Sequence, residues 1–86
     1  MMFSVIWNMR ALLQLQRIEL ESGRADAIQQ AVAYVDYTLR RYPLDMGESR
    51  DGTDRLWYSD VLGVYYGVFD ETGKVVVFDV AKAIRR

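Results

Sequence analysis

The stretch from Val61 to Val80 constrains the fold most strongly, because it is typical of two β-strands joined by a short turn. β-Branched and aromatic side chains dominate both halves, and such residues suit a pleated, half-buried surface. Between the halves, the acidic turn Asp70–Gly73 ends in the glycine that a short hairpin loop needs for positive φ. Both halves are apolar at nearly every position. We therefore expect this hairpin in the middle of the sheet, with both of its faces at least partly covered.

The residue composition narrows the class of protein. Eighty-six residues suffice for one hydrophobic core, so we expect a single domain spanning residues 1–86. Cys and His are both absent, which excludes a disulfide scaffold, a thiol nucleophile and a Ser/His/Asp triad. No Gly-rich phosphate loop precedes a helix, so we expect no cofactor and no metal. Without a basic leader or an apolar run of ~20 residues, a soluble cytoplasmic protein with no membrane partner is expected.

The formal net charge is −1 and the isoelectric point is near 5.3, so the chain has no overall basic field for nucleic acid. Basic residues are nevertheless concentrated locally, at Arg40-Arg41 and in the last five residues, which contain Lys82, Arg85 and Arg86. Such a cluster fits either a local nucleic-acid surface or a solvated cationic tail.

Two helices are predicted before the hairpin. After a first strand within Met2–Trp7, Asn8 is placed to cap a helix that runs from Met9 to about Ser22 and stops at Gly23. Its apolar residues, all predicted to face the core, are Ala11, Leu12, Leu15, Ile18 and Leu20.

The second helix begins near Asp26 and ends before Pro43, because the residue before a proline is pushed out of the α region. Its predicted core stripe is Ile28, Ala31, Val32, Val35, Leu39 and Tyr42. A loop follows over Leu44–Thr53, and then a strand over Asp54–Tyr58. The predicted fold is α+β in the order β-α-α-β-β-β, with an antiparallel αα-hairpin packed on a small, mostly antiparallel four-stranded sheet.

The first half of the hairpin has two different faces. Because side chains alternate along a strand, Val64, Tyr66 and Val68 are predicted to face the helices. The other face is predicted to contain Gly63, Tyr65, Gly67 and Phe69. Glycine inside a strand indicates either close approach of another backbone or a bend or bulge, and both interpretations stay open.

These features together resemble the RelE/ParE superfamily of bacterial type II toxin–antitoxin toxins. The element order β-α-α-β-β-β carries the resemblance together with five segments. These are the strand closing on Trp7, the helix through Ala11 and Leu15, the second helix ending at Leu39 and Pro43 with Gly47 soon after, the Y-x-V-x-D run at Tyr66–Asp70, and the apolar last strand Val75–Lys82. The similarity covers nearly the whole chain. It implies a toxin neutralised by an antitoxin whose segment wraps the toxin and masks its basic surface.

The resemblance also implies site residues. RelE-type ribosome-dependent mRNA endonucleases carry basic residues on the second strand, where Arg55 is the match and Arg50 a weaker one. Lys82 matches the first residue of a basic pair after the last strand, whereas Ala83 occupies the second position. Gly63 stands where these enzymes place an arginine, three residues before the Tyr of the third strand. Their C-terminal Tyr has no counterpart.

Three functional hypotheses follow from the resemblance. The first is a ParE-like toxin that binds its target, as in the gyrase-poisoning branch. The second is a divergent ribosome-dependent mRNA endonuclease, and the third is a binding module that keeps only the fold. The first is preferred here, because the nuclease positions are incomplete. Arg55 and Lys82 are the candidate catalytic residues. Candidate nucleic-acid or partner-binding residues are Arg50, Trp57, Gly63, Tyr65, Gly67, Arg85 and Arg86. The expected partner is an antitoxin. The expected target is either the ribosome with its mRNA or DNA gyrase. The chain is compatible with a homo-oligomer or a hetero-oligomer.

Overall fold

The chain forms two helices and five strands in a computed structural model that describes residues 2–59 and 61–83. The helices are α1 (Met9–Ser22) and α2 (Ala25–Arg41), and the strands are β1 (Ser4–Trp7), β2 (Glu48–Ser49), β3 (Asp54–Ser59), β4 (Leu62–Phe69) and β5 (Lys74–Lys82). Within the described ranges, neither helix is long and apolar enough to cross a membrane.

The five strands make one sheet in the order β1-β5-β4-β3-β2. β1 runs parallel to β5, and every other neighbouring pair is antiparallel. The hairpin of β4 and β5 therefore lies inside the sheet, as the sequence predicted. Its turn is a single 3-10 turn over Asp70–Thr72, followed by Gly73 at φ 66°.

The predicted strand count of four was wrong, because β2 is an additional edge strand inside the predicted loop. Glu48 pairs with Leu56, and Ser49 pairs with Arg55. Both β2 residues are exposed. Two exposed polar residues carry no periodic signal, so only their pairing with β3 reveals this strand.

The predicted limits of α1 are confirmed at both ends. The Asn8 side chain accepts a hydrogen bond of 2.9 Å from the Ala11 amide, which satisfies one of the unpaired N–H groups of the first turn. Gly23 ends the helix at φ 65°, and its amide donates to the Glu19 carbonyl. Gly23 and Arg24 alone separate the two helices.

Both helices pack on the same face of the sheet, where one hydrophobic cluster joins α1, α2, β4 and β5. Its buried residues are Ala11, Leu15, Ile18, Ile28, Ala31, Val35, Leu39, Leu62, Val64, Tyr66, Val68, Val75, Val77 and Val80. The prediction that Val64, Tyr66 and Val68 face the helices is confirmed. Complete burial of a side chain such as Leu39 contributes about 1.5–3 kcal/mol.

Three residues assigned to this core from the sequence are instead exposed. Leu12 is 47% exposed, Leu20 79% and Tyr42 52%. Because successive helix residues are rotated by about 100°, Leu20 projects from the side of α1 opposite Ala11 and Ile18, whereas Leu12 projects from the flank of the helix. Tyr42 is the residue that terminates α2, so its side chain leaves the helical stripe.

Polar contacts hold α2 against β1. The Trp7 indole N–H donates to Asp36 Oδ1 at 3.1 Å, and Arg40 Nε donates to the other oxygen of the same carboxylate at 2.7 Å. The Phe3 amide donates to the Arg40 carbonyl at 2.7 Å. The last turns of α2 are thereby tied to the parallel edge of the sheet.

Candidate functional site

The face of the sheet opposite the helices carries the side chains with the most distinctive chemistry, and we call it the open face. It is formed by Asp54, Leu56, Tyr58, Gly63, Tyr65, Gly67 and Phe78. The register places these residues together, because directly paired residues of antiparallel strands share a face. Tyr58 pairs with Gly63, and Asp54 pairs with Gly67.

Both glycines of β4 make room for aromatic rings of the same chain. A Cβ atom on Gly63 would lie 3.0 Å from the Tyr58 ring, and one on Gly67 would lie 3.0 Å from the Phe78 ring. Each ring therefore lies directly over a glycine. A partner reaching this part of the face would contact the rings of Tyr58 and Phe78 first. Partner binding at Gly63 and Gly67 stays a prediction.

A β-bulge places both Phe78 and Asp79 on this face. Tyr65 pairs with Asp79 and Tyr66 with Val77, so Phe78 is the extra residue between these two pairs. The bulge allows both Val77 and Val80 to stay buried on the helix side. A bulge was one of the two interpretations of the glycines, and the register shift lies between Tyr65 and Tyr66, between the two glycine positions.

Tyr65 occupies the centre of the open face. Its hydroxyl donates to Asp54 Oδ2 at 3.1 Å, and its ring meets Phe78 edge-on with the ring centroids 6.1 Å apart. The hydrogen bond to Asp54, followed by desolvation, raises the pKa of Tyr65 above its usual 10.0. Tyr65 is therefore a neutral hydrogen-bond donor near pH 7.

A hollow of about 420 Å³ opens beside Tyr65, lined by Asn8, Arg10, Asp54, Tyr65, Phe78 and Asp79. Arg10 reaches it from α1 and lies 3.4 Å from Asp79 Oδ2. The other Asp79 oxygen accepts from the Val80 amide at 2.9 Å. Asp54 has only the neutral Tyr65 hydroxyl as a side-chain partner within the described residues. The carboxylates give this hollow an acidic character.

Arg55 lies on the helix side of the sheet, because it pairs with the buried Tyr66. Its Nε donates to the Met46 carbonyl at 2.9 Å, and one terminal nitrogen donates to the Gly47 carbonyl at 3.3 Å. The Tyr66 hydroxyl lies 2.8 Å from the Pro43 carbonyl oxygen and 3.0 Å from that of Met46. Burial raises the pKa of Tyr66. Arg55 and Tyr66 together anchor the loop after α2.

The other predicted site residues are dispersed. Lys82 pairs with Leu62, four residues along β4 from the partner of Arg55, which separates the two cations by about 13 Å along the strands. Arg50 forms an exposed ion pair with Glu48 at 3.5 Å. The Trp57 ring packs on the core, with its centroid 6.1 Å from that of Tyr34. Arg85 and Arg86 lie outside the described residues.

Asp54, Asp79 and Arg10 were not predicted as members of the site. Alternation along β3 offered a signal for Asp54, since Arg55 and Asp54 must point to opposite faces. No sequence signal was available for Asp79, because the bulge at Phe78 shifts the alternation of β5. Among the described residues, no group of three carboxylates or other ligands could hold a metal ion.

No protein-family model and no curated protein sequence matches this chain. Solved structures do match it. The toxin–antitoxin complex RelBE2 from Mycobacterium tuberculosis contains a chain that is 18% identical with a TM-score of 0.80, over 95% of this chain and 92% of that one. A chain of the chromosomal ParDE toxin–antitoxin system from P. aeruginosa is 14% identical with a TM-score of 0.76, over 96% and 98% of the two chains.

The isolated E. coli RelE toxin is similar as well, at 18% identity and a TM-score of 0.71, over 98% of this chain and 87% of RelE. All three alignments extend over nearly the full length of both chains. Two helices packed on one face of a mixed sheet are thus arranged as in these proteins. The chain therefore has the fold of the RelE and ParE toxins.

Proposed function

We propose that this protein is a cytoplasmic toxin of a type II toxin–antitoxin module that acts by binding a macromolecular target and is neutralised by an antitoxin. The fold supports the proposal, since the similar structures include a RelBE2 and a ParDE toxin–antitoxin complex. DNA gyrase is the target proposed from the ParE-like branch.

The observation that carries the binding mode is the chemistry of the open face. Cleavage of a phosphodiester needs cations placed on the scissile phosphate. Here Gly63 occupies the position where a RelE-type nuclease would have an arginine, and Asp54 and Asp79 line the adjacent hollow. Carboxylates repel a phosphate group, whereas aromatic rings and hydrogen-bond acceptors favour contact with the surface of a partner protein. This favours binding over RNA cleavage.

The nuclease alternative would depend on Arg55 and Lys82. Arg55 already donates to two loop carbonyl groups on the helix side. Lys82 lies at the far end of β5, so the two cations do not converge on one phosphate. We therefore rank the nuclease second. Ribosome-bound mRNA that stays intact in the presence of the purified protein would agree with this order.

Inducible expression in a bacterial host tests the toxin proposal. Growth should stop on induction, and Tyr58→Ala should restore it, because the exposed Tyr58 ring forms the surface over Gly63. Tyr42→Ala is the matched control, since Tyr42 is also exposed but lies at the end of α2. Normal growth of cells that contain soluble wild-type protein would exclude the toxin proposal. The remaining hypothesis would be a binding module that keeps only the fold.

A supercoiling assay with purified DNA gyrase tests the target. The wild-type protein should inhibit supercoiling or trap cleaved plasmid, and Tyr58→Ala should do so less. Full gyrase activity at a large excess of a protein that stops growth would exclude gyrase while leaving the toxin proposal intact.

A further inference from the structure

The hollow beside Tyr65 combines two aromatic walls with a carboxylate oxygen that has no hydrogen-bond donor within the described residues. The rings of Tyr65 and Phe78 meet at 63° with their centroids 6.1 Å apart, so they form a corner and not a stack. Asp54 Oδ2 accepts from the Tyr65 hydroxyl, and Oδ1 of the same carboxylate remains free to accept. All three residues are half-buried. Aromatic rings beside a carboxylate are groups that bind an organic cation.

Gly67 is the residue that brings the Phe78 ring and the free carboxylate oxygen together. A Cβ atom at Gly67 would lie 3.0 Å from the Phe78 ring and 3.3 Å from Asp54 Oδ1, so both border the same point above the strand. A guanidinium group is planar, lies flat on aromatic rings and donates two parallel N–H bonds to a carboxylate. An ammonium group has no flat face. The site therefore suits an arginine side chain better than a lysine side chain.

The charges around the hollow leave Asp54 as the carboxylate without a cation. Asp79 already pairs with Arg10 at 3.4 Å, and Arg50 pairs with Glu48 at 3.5 Å. Among the residues that the structure describes, no cation forms an ion pair with Asp54. An incoming cation therefore gains a partner at Asp54 without displacing an existing ion pair, whereas a phosphate group would meet two carboxylates.

A second, smaller hollow indicates what accompanies the cation. Tyr65 lines both hollows, and the second one has a volume of about 160 Å³ and mostly apolar walls that include Leu56, Tyr58 and Val80. A ligand that fills both hollows has a cationic group and an apolar group a short distance apart. A protein segment supplies this pair, whereas a metal ion has no apolar group and a nucleic acid has the wrong charge.

We propose that the hollow beside Tyr65 binds an arginine side chain on the surface of the target protein. The guanidinium lies on the Phe78 ring, and its N–H groups donate to Asp54. The source of the arginine rests on the proposed function, in which the open face contacts a protein target. The guanidinium chemistry rests on Asp54, Gly67 and Phe78 alone, so it is tested separately from toxicity.

The probe is arginine with an acetylated amino group and an amidated carboxyl group, which leaves the guanidinium as the single charge, as in a protein chain. NMR of the full chain with ¹³C-labelled tyrosine rings measures binding, and Tyr65→Phe identifies the Tyr65 signal. The capped arginine should shift this signal in a saturable way, while the signal of Tyr42 at the end of α2 stays unchanged. Capped citrulline, the neutral isostere, should bind at least roughly fivefold more weakly, and capped lysine should lie between the two.

Variants locate the site. Asp54→Asn keeps an acceptor for the Tyr65 hydroxyl but removes the charge, and it should weaken binding of capped arginine by at least roughly fivefold. Phe78→Leu removes the aromatic wall and should weaken binding by at least roughly threefold. Asp45→Asn removes the same charge from an exposed carboxylate in the loop after α2, and as the matched control it should change nothing. Circular dichroism confirms that each variant is folded.

Several results would overturn the proposal. These are a Tyr65 signal that capped arginine does not shift, equal binding of capped citrulline or capped lysine, and unchanged binding in Asp54→Asn. Tighter binding of free arginine would indicate a metabolite site, and tighter binding of a single-stranded oligonucleotide would indicate a nucleic-acid site. Growth arrest without arginine binding would reject this inference and leave the toxin proposal. Arginine binding without growth arrest would reject the toxin proposal and leave the guanidinium site.

Discussion

The Tyr65 hydroxyl donates a hydrogen bond of 3.1 Å to Asp54 Oδ2 and so links β4 to β3 on the open face. The two residues are diagonal neighbours, since Asp54 pairs with Gly67. Only the protonated phenol can donate this bond. The interaction therefore connects the geometry of the open face to the ionisation of one tyrosine.

We predict that Tyr65 ionises above pH 10, and that Asp54→Ala lowers its pKa toward the ordinary value. The folded-state pKa is raised, so the stabilising contribution is complete below about pH 10 and is lost as the pH rises through the folded pKa. NMR titration of protein with ¹³C-labelled tyrosine rings measures this directly. The same titration in Asp45→Asn, an exposed control, should be unchanged. A Tyr65 pKa unaffected by Asp54→Ala would contradict the assignment.

Arg55 is predicted to contribute to stability through the loop after α2. Arg55→Ala removes two hydrogen bonds from a charged donor to the carbonyl groups of Met46 and Gly47, and should lower the free energy of unfolding by at least about 1.5–3 kcal/mol. Urea denaturation gives this value. Arg50→Ala is the control, because its exposed ion pair with Glu48 contributes about 0–1 kcal/mol. Equal effects of the two substitutions would argue against an anchoring role.

Gly47 and Gly52 form a matched pair of left-handed glycines in the same loop region, at φ 65° and 57°. Alanine at Gly52 has no atom within 4 Å and should cost only the backbone strain, about 1–2 kcal/mol. Alanine at Gly47 would place its Cβ 2.3 Å from the Leu56 carbonyl oxygen, so overpacking adds about 1–3 kcal/mol. Thermal unfolding of both variants should give a lower midpoint for Gly47→Ala, and the reverse order would contradict the proposed β2–β3 geometry.

Gly67 and Phe78 are predicted to be energetically coupled. Gly67→Ala forces the Phe78 ring away from its position 3.0 Å from the new Cβ and should destabilise the fold by about 1–3 kcal/mol. The cost should fall in a Phe78→Ala background, where the ring is absent. A double-mutant cycle measured by urea denaturation provides the coupling free energy. Additive effects would show that the ring is not what Gly67 accommodates.

The sequence predicted local features well where one residue type determines the geometry. Asn8 caps α1, Gly23 ends it, and Gly73 closes the hairpin turn, each through a short-range backbone requirement. The inward face of β4 was also predictable, since period-two alternation needs no knowledge of the neighbouring strands.

Features that depend on tertiary context were not predictable in the same way. Leu12 and Leu20 looked like core residues because α1 has apolar residues on two sides, and periodicity alone does not say which side meets the sheet. The direction of Arg55 depends on its register with Tyr66, and the position of Asp79 depends on a bulge. The edge strand β2 exists only through its pairing with β3.

The parallel pairing of β1 with β5 has a consequence for how the chain folds during synthesis. Ser4 pairs with Lys74 and Trp7 with Val77, so the first strand has no strand partner until almost all of the described chain has been made. Because a ribosome adds only about 5–20 residues per second, β1 waits several seconds for β5. Long-range pairing of this kind also slows folding. Whatever activity the folded domain has, it therefore begins only after β5 leaves the ribosome. A chain truncated before β5 would leave β1 without its strand partner and one edge of β4 unpaired.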